Sequence, residues 1–323
     1  MTEADLYVGT VGMSTWTSGD LGKTLSRHWS KTGLFSESRV WALSSHPKVP
    51  NEILGGSDSG IYSFDRTTSQ WTHIPTPMDG FNIWSIAHHP NDPNIVLAGI
   101  SPSAIYRSED RGRTWTRANG DFAPVCRAVG KPRVTQISFD PEEPDVVFAS
   151  IEIDGIWRSR DGGKNWVRVV EGMVSDDGHA VTVVRKNGKR MLFAATNEGL
   201  HASDDDGEHW TKRALPTPWA YTRMVRQRAD GSGVVFVGNG DDVPGSKGVL
   251  LRSRDYGETW EDAKLPGETQ STVWTIATNA ADPKLIFVGT CFGKYFRSTD
   301  GGETFEKLPR ELGETRALIW LPR

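Results

Sequence analysis

SEDRGRTW from Ser108, SRDGGKNW from Ser159, SDDDGEHW from Ser203 and SRDYGETW from Ser253 are four copies of one pattern, Ser-x-Asp-x-Gly-x-x-Trp. A fifth copy, STDGGETF from Ser298, ends in Phe305. Two looser copies precede these. SGDLGKTL from Ser18 ends in Leu25, and SFDRTTSQW from Ser63 lacks the Gly and has one extra residue before Trp71. The aspartates Asp20, Asp65, Asp110, Asp161, Asp205, Asp255 and Asp300 are spaced by 45, 45, 51, 44, 50 and 45 residues, so seven copies account for the whole chain. Each copy reads as a hairpin turn. The Asp carboxylate accepts backbone N–H groups a few residues on, the Gly takes a backbone conformation that a β-carbon penalises, and the Ser hydroxyl satisfies a further turn group. The closing aromatic starts the next strand and packs between sheets.

Working outward, each period repeats the same order. A strand follows the turn (TWTRAN, NWVRVV, TWEDAKL), then a loop, then a second strand (RVWALSS, NIWSIAH, RVTQISF, AVTVVRK, VWTIATN). A polar turn leads to an apolar run (NIVLAG, DVVFAS, VVFVG, LIFVG), and AIYRS or GIWRS leads back to the motif. Four short antiparallel strands, seven times over, predict an all-β, seven-bladed β-propeller of four-stranded blades, one domain over residues 1–323. The start, LYVGT, matches the second strand of a blade, and the end, RALIWLP, matches an innermost strand. The C-terminal strand is therefore expected in the first blade, closing the ring.

Composition removes several classes. Lys and Arg total 37 against 41 Asp and Glu, a net charge of −4, which argues against a broad basic surface for nucleic acid. No stretch approaches 18 consecutive apolar residues, so no membrane partner is expected. The start, MTEADLYVGT, shows no basic segment followed by an apolar run. With only Cys126 and Cys291, the chain has no disulfide scaffold, and a cytoplasmic location is expected.

The repeated box resembles the Asp-box, or BNR-repeat, propellers: sialidases, xyloglucanase-type glycosidases, sortilin-type receptors and photosystem II assembly propellers. The resemblance implies a propeller fold. It does not choose between enzyme and binding protein, because the box is a structural turn in both. A typical sialidase is not implied. The Phe/Tyr-Arg-Ile-Pro segment of that group is missing, and the nearest text, KPRVTQI around Arg133, lacks its order.

In this topology the loops entering the innermost strands, and those joining second to third strands, surround one mouth of the central channel. Aligning the inner strands gives two columns. The first holds Arg39, Asn82, Arg133, His179, Tyr221, Thr272 and Glu314; the second, two residues on, holds Trp41, Trp84, Thr135, Val181, Arg223, Trp274 and Arg316. Arg39, Arg133, Arg223 and Arg316 would converge on the hub. Such cations need anions, supplied either by ring carboxylates (Glu152, Glu198, Glu314) or by a ligand, and the planar guanidinium suits an oxyanion. Trp41, Trp84 and Trp274 either pack between blades or offer a stacking platform. Trp219, in the loop LPTPWAY, and Tyr221 are further contact candidates. His179, preceded by Asp176 and Asp177, is the candidate acid or base, with Glu152, Asp154 and Glu198 as alternative proton carriers. No Cys or His pair has metal-ligand spacing, and no nucleotide-binding glycine motif is present, so no metal or cofactor is expected. The reading is an enzyme, hydrolase or lyase, acting on a small anionic sugar or aromatic molecule in the central pocket. The alternative is a non-catalytic propeller that binds a ligand or assembles with a protein partner.

Overall fold

The computed structural model describes residues 2–126 and 130–323. It is built of seven four-stranded sheets, and the single helical turn among the described residues is Ser30–Thr32. Blade 1 places the inner strand Thr315–Pro322 against Ala4–Thr10, followed outward by Thr15–Ser18 and Ser26–Arg27. Blade 2 runs Val40–Ser44, Glu52–Ser57, Ile61–Asp65 and Gln70–Ile74. Blades 3 to 7 repeat the order from the inner strands Asn82–His88, Val134–Phe139, Gly178–Lys186, Thr222–Gln227 and Val273–Ala277. The expected closure is present: Ala4 pairs with Pro322 and the ladder continues to Thr10 and Thr315.

Alternation along every strand sends side chains into the two gaps flanking its sheet. Among the described residues each gap holds one large apolar cluster, and Tyr221, Trp274 and Cys291 form a small further one. Between blades 2 and 3, for instance, Leu54 and Ile61 meet Ile83, Val96, Ala98 and the box aromatic Trp115.

The box turns behave as their chemistry predicts. In the copy at Ser253, Asp255 Oδ1 accepts the Ser253 hydroxyl at 2.8 Å and the Thr259 N–H at 2.9 Å, and Oδ2 accepts the Thr259 hydroxyl at 2.6 Å. Ser253 Oγ in turn accepts the Gly257 N–H at 2.7 Å. Gly257 has φ +83°, and a β-carbon there would stand 2.3 Å from Phe193 Cζ. The copy without Gly shows what the motif does. In blade 2, Ile61–Asp65 turns through a simple hairpin, and the outer strand Gln70–Ile74 is five residues long, where those of the other blades have two or three. We expect Asp255→Ala to lower stability by about 1–2 kcal/mol, since a charged acceptor of three hydrogen bonds is lost at a partly exposed site. Asp65→Ala should lower the thermal midpoint less, and circular-dichroism melts of the two variants check the order.

Inner strands start on one face of the disc, called the front face here, together with the loops between second and third strands. The box turns lie on the opposite face, called the box face, with the turns that end the inner strands.

Candidate functional site

Near the front face, every inner strand slips by one residue against its neighbour. The slips fall between Val40 and Ala42, Ile83 and Ser85, Val134 and Gln136, Gly178 and Ala180, Thr222 and Met224, and Val273 and Thr275, and opposite Gly9/Thr10 in blade 1. The residues left outside the ladder are Trp41, Trp84, Thr135, His179, Arg223, Trp274 and Arg316. A bulge releases a side chain from strict alternation and re-aims it, and here it builds one ring at the hub. This corrects the expected columns in blade 5. His179, not Val181, stands at the level of the tryptophans, and Asp177 takes the place expected for His179.

The ring closes on itself largely through aromatic and cationic contacts. Trp41 and Trp84 stack with centroids 4.2 Å apart and planes 20° from parallel. The Arg223 and Arg316 guanidinium carbons lie 4.2 and 4.4 Å from the Trp274 centroid, so one indole serves two cations. Arg316 is also 5.8 Å from Trp41, and Arg133 sits 4.4 Å from the Trp84 ring. Each contact contributes on the order of 0.5–2 kcal/mol when desolvated. Ion pairs complete two of the arginines. Glu152 takes Arg133 through both oxygens, one at 2.6 Å, and Glu314 takes Arg316. Arg223, 9% exposed, has no carboxylate or other hydrogen-bond acceptor among the described residues. Three of the four predicted arginines therefore meet. Arg39 does not: its residue is exposed at the rim, and its backbone pairs with Asp58.

His179 is 3% exposed. Its Nδ1 donates to the Thr222 carbonyl at 2.6 Å, which leaves a bare Nε2 facing Asp177 Oδ1 at 3.4 Å. Only the imidazolium has a proton to give there. Burial raises the Asp177 pKa, but His179, Arg223 and Arg133 reverse this and hold it below the usual carboxylate value. Tyr221 packs 4.7 Å from His179 and 6.5 Å from Trp274, and burial pushes its hydroxyl up to about 12.

The other candidates lie apart from this ring. Asp154 accepts the Ala123 N–H at 2.9 Å and faces Arg168 Nε at 3.2 Å, and burial raises its pKa. Glu198 is exposed in the second-to-third-strand loop of blade 5. Trp219 is half-buried, and its main chain, not its ring, bonds Asn239. The loop after Gly238 closes on itself through Asp241, which accepts Ser246 and Lys247 N–H groups at 2.8 and 2.9 Å.

One feature escaped the sequence reading. Behind the ring, toward the box face, the channel holds a cavity of about 460 Å³. It runs from Trp41, Trp84 and Arg316 to Pro90, Pro141 and Leu321, and Pro141 is exposed, so the cavity reaches the surface. Its lining includes Arg226 and Arg316 and no Asp or Glu. Arg226 has no hydrogen bond or ion pair from its side chain among the described residues, and burial pulls its pKa down with nothing to offset it. Counting three residues on from the bulge, the other six strands carry Ser44, Ala87, Ser138, Thr182, Ala277 and Ile319 at that level. A single cation in an otherwise uncharged layer was the available signal.

Comparison with known proteins agrees with the architecture. The BNR-Asp box repeat family matches residues 105–117. The chain is similar to a xyloglucanase from Paenibacillus sp (25% identity over 240 residues, 64% of this chain and 23% of that protein). It is also similar to sortilin from Rattus norvegicus (26% over 223 residues, 65% of this chain and 24% of that protein). The matched regions thus span about a quarter of those relatives. A solved structure, YCF48 bound to D1 peptide, superposes with a TM-score of 0.63 at 18% identity, covering 96% of this chain and 94% of that one. With its seven closed blades and repeated Ser-x-Asp turns, this chain is a seven-bladed β-propeller that carries the BNR-Asp box repeat.

Proposed function

We propose that this chain is a binding propeller that docks a protein partner on its front face. The observation that carries the reading is where apolar surface is left uncovered. Eight large hydrophobic residues are exposed among those described: Trp29, Phe35, Phe81, Val125, Val167, Val174, Val243 and Phe292. All but Val167 lie in loops of the front face. Four of them are aromatic: Phe292 in blade 7, Trp29 and Phe35 between blades 1 and 2, and Phe81 between blades 2 and 3. Apolar surface concentrated on one face is how interaction sites differ from scattered exposed residues. The fold match to a propeller solved with a peptide supports the same reading.

The enzymatic reading, hydrolysis or elimination on a small anionic sugar or aromatic molecule, has similarity to xyloglucanases behind it. It is less well supported by the side chains. Glu152 is committed to Arg133, Asp154 to Ala123 and Arg168, and His179 to Thr222, while Glu198 stands in solvent. A glycosidase needs an acid and a second carboxylate flanking the scissile bond, and the candidate carboxylates among the described residues offer no such free pair.

The test is affinity capture from native extract with wild type, Phe35→Asp, Phe292→Asp and, as control, Val167→Asp. A partner retained by wild type and Val167→Asp should drop at least ten-fold with the two front-face variants. Equal capture by all four would discard the reading.

A further inference from the structure

We infer that the cavity behind the ring is a binding site for a small monocarboxylate, entering from the box face and held by Arg226. This site is separate from the partner face and does not depend on it. The observations converge. The cavity, at about 460 Å³, is within the range of small-molecule sites. Its walls mix apolar side chains, Ile86 and Phe139 among them, with the polar ones of Ser44, Thr135, Gln136 and Asn279. Two guanidinium groups line it and no carboxylate does. Of the two, Arg316 is already engaged by Glu314 and Trp274. Arg226 alone is left without an acceptor.

An unpaired guanidinium in a partly dry site is unfavourable until an oxyanion arrives. Its planar fork presents parallel N–H groups, which a carboxylate meets with two oxygens. One unpaired cation calls for one negative charge, and a dianion would bring a second charge with no partner. Two of the wall's other polar pairs are closed internally: Ser44 Oγ and His88 Nδ1 bond each other at 2.8 Å, and Asn279 bonds the Trp320 carbonyl at 3.0 Å.

The experiment compares phenylacetate, phenylacetamide and inorganic phosphate by thermal shift and titration calorimetry on the full chain. Phenylacetate should raise the melting point in a concentration-dependent way, since a ligand that binds only the native state stabilises it. Phenylacetamide and phosphate should not. Arg226→Gln should weaken phenylacetate at least ten-fold. Without ligand, Arg226→Leu should melt at or above the wild-type temperature, because an uncompensated cation is removed; a residue needed to hold the blades would give a lower one. Equal shifts by acid and amide, tighter binding of phosphate, unchanged affinity in Arg226→Gln, or a clear loss of ligand-free stability in Arg226→Leu would each overturn the assignment. Front-face variants such as Phe35→Asp should leave phenylacetate binding unchanged, so this site and the partner face can fail independently.

Discussion

A chain truncated after Glu314 is expected not to fold. Residues 315–323 supply the whole inner strand of blade 1, paired to Ala4–Thr10 at seven positions. Two gaps lose their filling together. Leu318 and Trp320 pack with Leu6, Val8 and the blade 7 residues Phe287 and Tyr295, while Ala317 packs with Tyr7, Val40 and Trp71 of the next gap. Full burial of a large apolar side chain contributes roughly 1.5–3 kcal/mol, so buried Leu318 and Trp320 with half-buried Ile319 and Leu321 together represent roughly 5–9 kcal/mol, comparable to the entire stability of an ordinary domain. Polar ties go too. Arg66 donates to the Pro322 carbonyl at 3.0 Å, Arg323 pairs with Asp5, and Arg316 leaves the hub ring. The exposed edge of Ala4–Thr10 then becomes a template for association. Far-UV circular dichroism and gel filtration should show an unfolded or aggregated product. Adding residues 315–323 as a free peptide should recover part of the native signal as its concentration rises. A truncated chain with the wild-type melting curve would mean the ring is not held by this strand.

That closure was legible because both halves of the evidence are local. The Asp-box turns are made by residues within five positions of one another, so their chemistry shows in any eight-residue window. The LYVGT and RALIWLP segments then only had to be matched to strands already placed. The hub was less legible, for a specific reason. Each inner strand gains one residue at its bulge, and a period-2 reading that assumes regular alternation cannot see it. Blade 5 shows the consequence: GHAVTVV alternates acceptably with Val181 inward, yet Gly178 and Ala180 pair with Thr196 and Ala195, which releases His179 between them. A clue was present in Gly178, where a β-carbon would stand 2.9 Å from the Gly155 carbonyl oxygen. The partners of the arginines were hidden differently. Trp274 is touched by guanidinium groups from blade 6 and blade 1, and no sequence distance encodes that contact. Arg226 is hidden by its setting, inside a strand pattern three residues after Arg223.

Replacing Asp140 should destabilise the fold more than any other single charge. This carboxylate ends the inner strand of blade 4 and is fully buried. It accepts Arg185 Nη2 at 2.6 Å and Arg190 Nε, and the N–H groups of Glu142 and Glu143 at 2.9 and 3.1 Å. Arg190 continues to Asp206 in the box of blade 5, so one carboxylate ties two blades and a box turn together. Asp140→Ala removes the buried partner of two largely buried cations, which keep Glu143 and, for Arg190, Asp206; the loss is therefore up to about 3–5 kcal/mol, or a fall of up to about 4–8 °C in midpoint for a chain of this size. Asp140→Asn keeps an acceptor for the two N–H groups and should lose less. The charge contribution is separable by pH. Burial raises the Asp140 pKa, and the hydrogen bonds from Arg190, Glu142, Glu143 and Arg185 outweigh it, leaving the native value below the ordinary 3.8. A depressed native pKa means the carboxylate's stabilisation is complete above the unfolded value and disappears as pH falls through the native one. The box residues Asp110, Asp205, Asp255 and Asp300, held at about 2, act with the same sign. Wild type and Asp140→Asn should therefore melt furthest apart above pH 4 and draw together as pH falls through the lowered native pKa of Asp140. Melting curves that stay parallel over that range would show that the Asp140 charge contributes nothing and that only its hydrogen bonds hold the blades.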